Sequence, residues 1–153
     1  MREQNISKNL IDSLSIERNK ENPFLFFSKL EILIKFKTNK KFEDFITSYK
    51  RVDSLLEKTI CDRLEPDKKL FISKYEKEFY KKIEYIKQKF TDENIDLKYS
   101  DFFSYCFDFS NSIKQLLDNV KINDDDEKIK KNRYRLLNYS KNVLNRHTLF
   151  ALL

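Results

Sequence analysis

Not one glycine occurs in these 153 residues, and there are only two prolines. Glycine most readily takes the positive φ required by two-residue hairpin turns, β-bulges, left-handed helix caps and loops whose backbone wraps a phosphate. A chain lacking it has few ways to reverse a strand tightly or to cradle a triphosphate in backbone amides. The sequence therefore predicts an all-α protein. A hydrophobic fraction of 40%, with 14% aromatics, supplies a core despite 37% charged residues. The length suits a single domain, residues 1–153, burying about two-thirds of its unfolded surface.

Apolar periodicity predicts a helical bundle of about six helices. Ile6, Leu10, Ile11 and Leu14 mark a short amphipathic segment over residues 6–18, broken by "ERNKENP". From Pro23, "PFLFFSKLEILIKFK" is apolar on most sides, which marks it as the central helix, entered through a proline in its first turn. Phe42, Phe45, Ile46, Tyr49, Val52, Leu56 and Ile60 carry the third stripe, closed by "RLEPD". Beyond Pro66, Phe71, Tyr75, Phe79, Ile83, Ile86 and Phe90 mark a long helix whose other side is a solvated face of Lys and Glu. "TDENIDLKYSD", residues 91–101, reads as a loop before a fifth helix carrying Phe102, Phe103, Cys106, Phe109, Ile113, Leu116, Leu117 and Val120. Those aromatics read as core.

The stretch "LLDNVKINDDDEKIKKNRYRLL", residues 116–137, is the least ordinary. Asn123 or Asp124 can cap the final helix, and the acids of its first turn complement the positive end of the helix dipole. A calcium loop is excluded, because the alternating oxygen ligands, the glycine and the glutamate at position twelve are missing. Asn132 and Arg133 fall inside the buried stripe of Ile129, Leu136, Leu137, Val143 and Leu144. Polar groups there are costly unless satisfied, so the pair either locks a core network, with a carboxylate such as Asp118, or supports a functional surface. Lys128, Lys131, Arg135, Asn138 and Asn142 recur on another face. Residues 128–146 hold seven bases and no acid, enough to neutralise several phosphates, and Tyr134 and Tyr139 offer rings to an unpaired base.

The net charge of +6 fits an anionic partner such as nucleic acid, and equally a solubilising lysine surface. Cys61 and Cys106 have no metal-ligand spacing and read as buried free thiols in a reducing cytosol. His147, the single histidine, lies near the end of the chain and reads as a surface residue. No Ser or Cys nucleophile has a base in evident reach, so no catalytic residue, metal or cofactor is expected. The first residues lack an apolar run of signal-peptide length, and nowhere do about 18 apolar residues follow one another. A cytoplasmic protein without a membrane partner is expected.

Residues 116–144, "LLDNVKINDDDEKIKKNRYRLLNYSKNVL", resemble the last segment of the bacterial glycyl-tRNA synthetase beta subunit. There an apolar end, Asp-x-Val, a valine or isoleucine with Asn, acidic residues and Asn-Arg-x-x-Leu-Leu follow in this order. "SYKRVDSLLEK", residues 48–58, resembles that subunit's Lys-Arg-x-x-x-(Ile/Leu)-Leu-Lys helix, and "LIDSL", residues 10–14, the segment opening the same region. The resemblance covers nearly the whole chain and implies its C-terminal anticodon-binding domain, a DALR-like helical bundle related to that of arginyl-tRNA synthetase. It implies contact with the anticodon arm of glycine tRNA through Lys50, Arg51, Asn132 and Arg133. The charge pattern alone adds Lys131 and Arg135 as phosphate contacts. Implied protein partners are the alpha subunit, which supplies ATP-dependent glycine activation in this family, or the rest of a beta subunit. The large N-terminal part of such a subunit has no counterpart here, and "LNRHTLFALL" keeps only the terminal leucines of the family's usual ending. Against an RNA-binding module stands a helical assembly module that docks another protein through exposed aromatics such as Phe26, Phe27 or Tyr80.

Overall fold

The computed structural model describes residues 7–16 and 22–153. Among them are six α-helices and no strand: α1 (Lys8–Ser13), α2 (Pro23–Lys37), α3 (Lys40–Glu57), α4 (Lys74–Lys89), α5 (Ile95–Asn119) and α6 (Glu127–Asn145). Short 3₁₀ turns follow at Lys68–Leu70 and Phe150–Leu152. The all-α bundle expected from the absence of glycine is what forms. Ile6 and residues 17–18 of the expected first segment lie outside the described residues.

Four of the five long helices, α5 excepted, start on a side chain that takes up free amides. Asn22 accepts from Phe24 and Leu25, Asn39 from Lys41, and Asp126 from Lys128 and Ile129. Ser73 and Glu76 close a reciprocal capping box on α4, so this helix begins at Lys74 and Phe71 packs ahead of it. The cap of α6 is Asp126 and not the expected Asn123 or Asp124, whose side chains are engaged by Tyr134 and Arg133.

The central helix is α5, not α2 as its all-round apolar sequence suggested. α5 runs antiparallel to α4, with Phe79 against Phe109 and Phe90 against Phe102, and parallel to α3, with Phe42 against Phe103 and Ser48 hydrogen-bonded to Ser110. α6 returns antiparallel to α5. α2 lies at the edge, leaving Phe24 and Phe27 in solvent. It burdens the interior with Lys29, whose ammonium sits 2.5 Å from Asp96 on α5. α5 also starts earlier than the pattern suggested: Ile95 and Tyr99, within the expected loop, are fully buried, and the helix bends at Lys98. The acids and asparagine around them hid a first turn that tertiary burial stabilises.

Phe102, Phe103 and Phe150 are fully buried and contact one another, each worth roughly 1.5–3 kcal/mol relative to exposure. Phe150 belongs to the final turn, which docks on α1 through the Leu149 amide and the Ser13 carbonyl (2.8 Å). This docking buries His147, expected at the surface: it is 3% exposed, its Nε2 is 3.1 Å from the Phe90 carbonyl, and its ring meets Phe102 edge-on. No helix among the described residues is long and apolar enough to cross a membrane.

Candidate nucleic-acid interface

The Asn-Arg pair of α6 is interior. Arg133 is 6% exposed, and its guanidinium donates to the Lys121 carbonyl (2.6 Å), to Asp124 Oδ2 (3.1 Å) and to Glu76 Oε1 (3.2 Å). Glu76 is itself fully buried and also accepts from the Ser73 amide. Asn132 is 1% exposed; its carboxamide pairs both ways with the backbone of Asp67, accepting from the amide (2.7 Å) and donating to the carbonyl (3.0 Å). Of the two readings of this pair, the geometry is that of a locked network. Its carboxylates are Glu76 and Asp124; Asp118, the expected partner, instead faces Arg51. Both residues hold loops: Arg133 braces the α5–α6 connection at residues 121–124, and Asn132 pins the segment 58–67 that leaves α3.

That segment lies as a strap across α6, with Pro66 buried beneath it. Arg135 grips Asp62 with two prongs, Nε to Oδ1 at 2.9 Å and Nη2 to Oδ2 at 2.5 Å, and Lys131 approaches at 3.4 Å. The hydrogen bonds from Arg135 hold the Asp62 carboxyl well below the usual carboxylate range, and Asp62 in turn raises the Arg135 guanidinium. The fork of Arg135, expected on phosphate, is thus occupied inside the protein, whereas Lys131 keeps a largely solvated ammonium. The third stripe ends where the strap begins: Ile60 is fully exposed and Cys61 only half-buried, so the expected burial of both is corrected, while Cys106 is buried as read. Burial raises the Cys106 thiol well above its ordinary range.

Lys50 and Arg51 stand on the outer face of α3 at the edge of an open groove of about 750 Å³ formed with the end of α5 and the α5–α6 connection. Lys58 and Lys121 line it as well; no carboxylate is among the lining residues, and Lys121 holds one exposed contact to Asp125 at 3.4 Å. Thr47, Ser54 and Asn123 add neutral polar groups over a floor that includes Leu55, Leu117 and Val120. Lys50 and Lys58 make no ion pair among the described residues. Arg51 holds one exposed contact to Asp118 at 3.3 Å, a pairing worth about 0–1 kcal/mol and readily exchanged for a phosphate. Lys50, Ser54 and Lys58 recur at helical spacing, a signal that could have added Lys58 to the expected residues. Lys121 had none, because only the fold of the α5–α6 connection turns it toward α3.

Lys131 and Arg135 are not among the groove's lining residues. They flank the strap instead, and Lys58 and Asp62 are separated by four residues, at most about 14 Å of extended chain. The two expected basic sets therefore do not share one lining: Lys50 and Arg51 sit at the groove and Lys131 and Arg135 at the strap, joined along the chain by residues 58–62. Tyr134 is buried and donates to Asn123; Tyr139 is half-buried, stacked on Tyr80 and bonded to Glu84, which raises its hydroxyl well above the ordinary range after burial itself. Neither ring stands free. Of the aromatics considered for assembly, Phe27 is exposed, while Phe26 is half-buried and Tyr80 sits on α4 under Lys68. Phe26 and Phe27 meet edge-on on α2, at 5.7 Å between ring centroids. No group of three or more metal-ligating side chains occurs among the described residues.

The chain is thus an all-α bundle with an open cationic groove beside α3. Residues 45–152 match the DALR anticodon binding domain, and the chain belongs to that family. The match takes in both α3 with Lys50 and Arg51 and α6 with Asn132 and Arg133. Among proteins with assigned names, the chain is similar to the glycine–tRNA ligase beta subunit of Thermodesulfovibrio yellowstonii, 29% identical over 116 residues, which cover 76% of this chain and 17% of that protein. It is also similar to the glycine–tRNA ligase beta subunit of Persephonella marina, 25% identical over 133 residues, 87% of this chain and 18% of that protein. The chain thus spans less than a fifth of the length of these relatives. Both agree with the resemblance carried by residues 48–58 and 116–144.

Proposed function

We propose that this chain grips the anticodon arm of glycine tRNA, as part of a glycyl-tRNA synthetase beta subunit or a protein derived from one. The observation that carries the reading is the groove beside α3, where Lys50, Arg51, Lys58 and Lys121 converge without a lining carboxylate. Such a surface takes up phosphates and releases their counterions. Lys131 extends it along the strap. Asn132 and Arg133 act by positioning the two loops that carry Lys121 and the strap, and they do so without touching RNA.

Glycine and ATP chemistry belongs, in this reading, to a separate alpha subunit or to the rest of a beta subunit, which are the protein partners. The test is a titration of the chain with a glycine tRNA transcript and with the same transcript carrying a swapped anticodon, at two salt concentrations. Tighter binding to the cognate transcript that survives the higher salt supports the reading. Equal, weak binding to both leaves only generic charge attraction and refutes it.

A further inference from the structure

A second cavity opens on the far side of the strap. It has a volume of about 280 Å³, at the small end of ligand pockets and suited to one ring-sized group. Asn138 and Asn142, one turn apart on α6, both line it, and neither carboxamide makes a hydrogen bond to the protein among the described residues. Phe90 and Val143 add apolar lining, and Tyr139 lines the cavity with its ring already stacked on Tyr80 and under Lys87. Arg63, Lys87 and Arg146 stand among the lining residues with one lining carboxylate, Glu65; Lys87 donates to the Tyr139 hydroxyl (3.1 Å) and Arg146 pairs with Asp92 outside the lining (2.9 Å). Arg63 makes no ion pair among the described residues, and its backbone is held at φ 60°, a left-handed conformation that costs a non-glycine residue energy. The clamp of Asp62 by Arg135 next door keeps the strap in this shape and aims Arg63 beside the cavity.

We infer that this cavity takes one unpaired base swung out from the bound RNA, with Asn138 and Asn142 reading its edge and Arg63 meeting its phosphate. Paired carboxamide donors and acceptors match the edges of bases. A cationic mouth over an apolar interior matches a nucleotide better than a sugar or an aliphatic side chain. Lys58 of the groove and Arg63 of the cavity are five residues apart on the strap, at most about 18 Å, so a strand lying in the groove reaches the cavity. The inference rests on the RNA-binding reading and adds to it where sequence discrimination occurs.

The experiment compares the full chain with Asn138→Ala/Asn142→Ala on three probes: the anticodon stem-loop of a glycine tRNA, the same stem as a blunt duplex, and the four ribonucleoside monophosphates. Because neither carboxamide is bonded within the protein, the variant should keep wild-type helicity and melting; Asn142→Ala alone, at an exposed position, serves if it does not. The expected result is a loss of about tenfold or more for the stem-loop and less than about twofold for the duplex, with no monophosphate bound at millimolar concentration. Equal losses for stem-loop and duplex, or no loss for either, overturn the inference. So does monophosphate binding that depends on the two asparagines while stem-loop affinity is unchanged, which assigns the cavity to a free nucleotide. A wild-type chain that binds neither RNA brings down the RNA-binding reading itself, and this is distinguishable from a wild type that binds normally and a variant that behaves like it.

Discussion

Replacing Arg133 with methionine isolates the network that holds the two loops. The substitution keeps the length of the side chain and removes the cation that, among the described residues, pairs with Glu76, a fully buried carboxylate whose remaining partner there is the Ser73 amide at 3.2 Å. Breaking a buried ion pair by deleting one partner costs about 3–5 kcal/mol, since the surviving charge stays desolvated. With a urea slope of about 2 kcal/mol/M, the midpoint should fall by about 1.5–2.5 M. Against a total stability of about 5–15 kcal/mol, this is a large fraction. The pair is not ideally satisfied: Arg133 Nε and Glu76 Oε2 have no hydrogen-bond partner. Glu76→Met combined with Arg133→Met should therefore recover at least half of the loss, the residue being the capping box and the bonds to Lys121 and Asp124. Equilibrium urea denaturation followed by helicity at neutral pH measures all three proteins. A single variant losing less than about 1 kcal/mol, or a double variant no better than the single, would falsify the assignment of Arg133 to a buried structural role.

The other consequences concern the strap and the tyrosines. Asn132→Ala removes both hydrogen bonds to the Asp67 backbone, at about 0.5–1.5 kcal/mol each, and should open residues 58–67 to proteolysis; unchanged cleavage there would contradict the pinning. The Asp62 carboxyl is depressed, so the clamp's contribution is present above the ordinary carboxylate value of about 4 and is lost only as pH falls well below it. The side-chain carboxyl carbon signal of Asp62 should hold its neutral-pH position down through about pH 4 in the wild type; a midpoint near 4 would refute the clamp. Tyr99 is raised by burial despite its bond to Thr148, and Tyr49 by burial and then by Asp53. Their neutral forms favour the folded state, a contribution complete below about pH 10 and lost as pH rises beyond it. Urea midpoints should accordingly be flat from about pH 7 to 8, begin to fall above about 8.5 through the buried Cys106 thiol and drop further above about 10 through the two tyrosines, with the phenolate absorbance of these residues appearing only on unfolding.

Much of this architecture is legible in the residues themselves. The stripes of α3, α4 and α6 follow from spacing alone, and Asn132 and Arg133 announce themselves by interrupting an apolar face. What spacing cannot supply is the partner across the fold. Glu76 looked like one more acid on a solvated helix, yet its place three residues after Ser73 and opposite Arg133 buries it completely. His147 looked terminal because nothing in "LNRHTLFALL" indicates that Phe150 inserts between α3 and α5. α2 looked central since its own composition is apolar all round, but burial depends on neighbours, and the longer α5 offers two flanking helices a continuous face. The groove was half visible: Lys50 and Arg51 share one turn, whereas Lys121 arrives from a connection whose course is set by Arg133.

The most direct measurement of the cationic groove is the salt dependence of tRNA affinity for the wild type and for Lys50→Glu/Arg51→Glu. Four groove cations predict a slope of log K against log salt of about −3 to −4 for the wild type, and loss of two phosphate contacts should make it shallower by about two while leaving urea stability unchanged. A double variant with the wild-type slope and affinity would mean that RNA, if bound at all, sits elsewhere on the molecule.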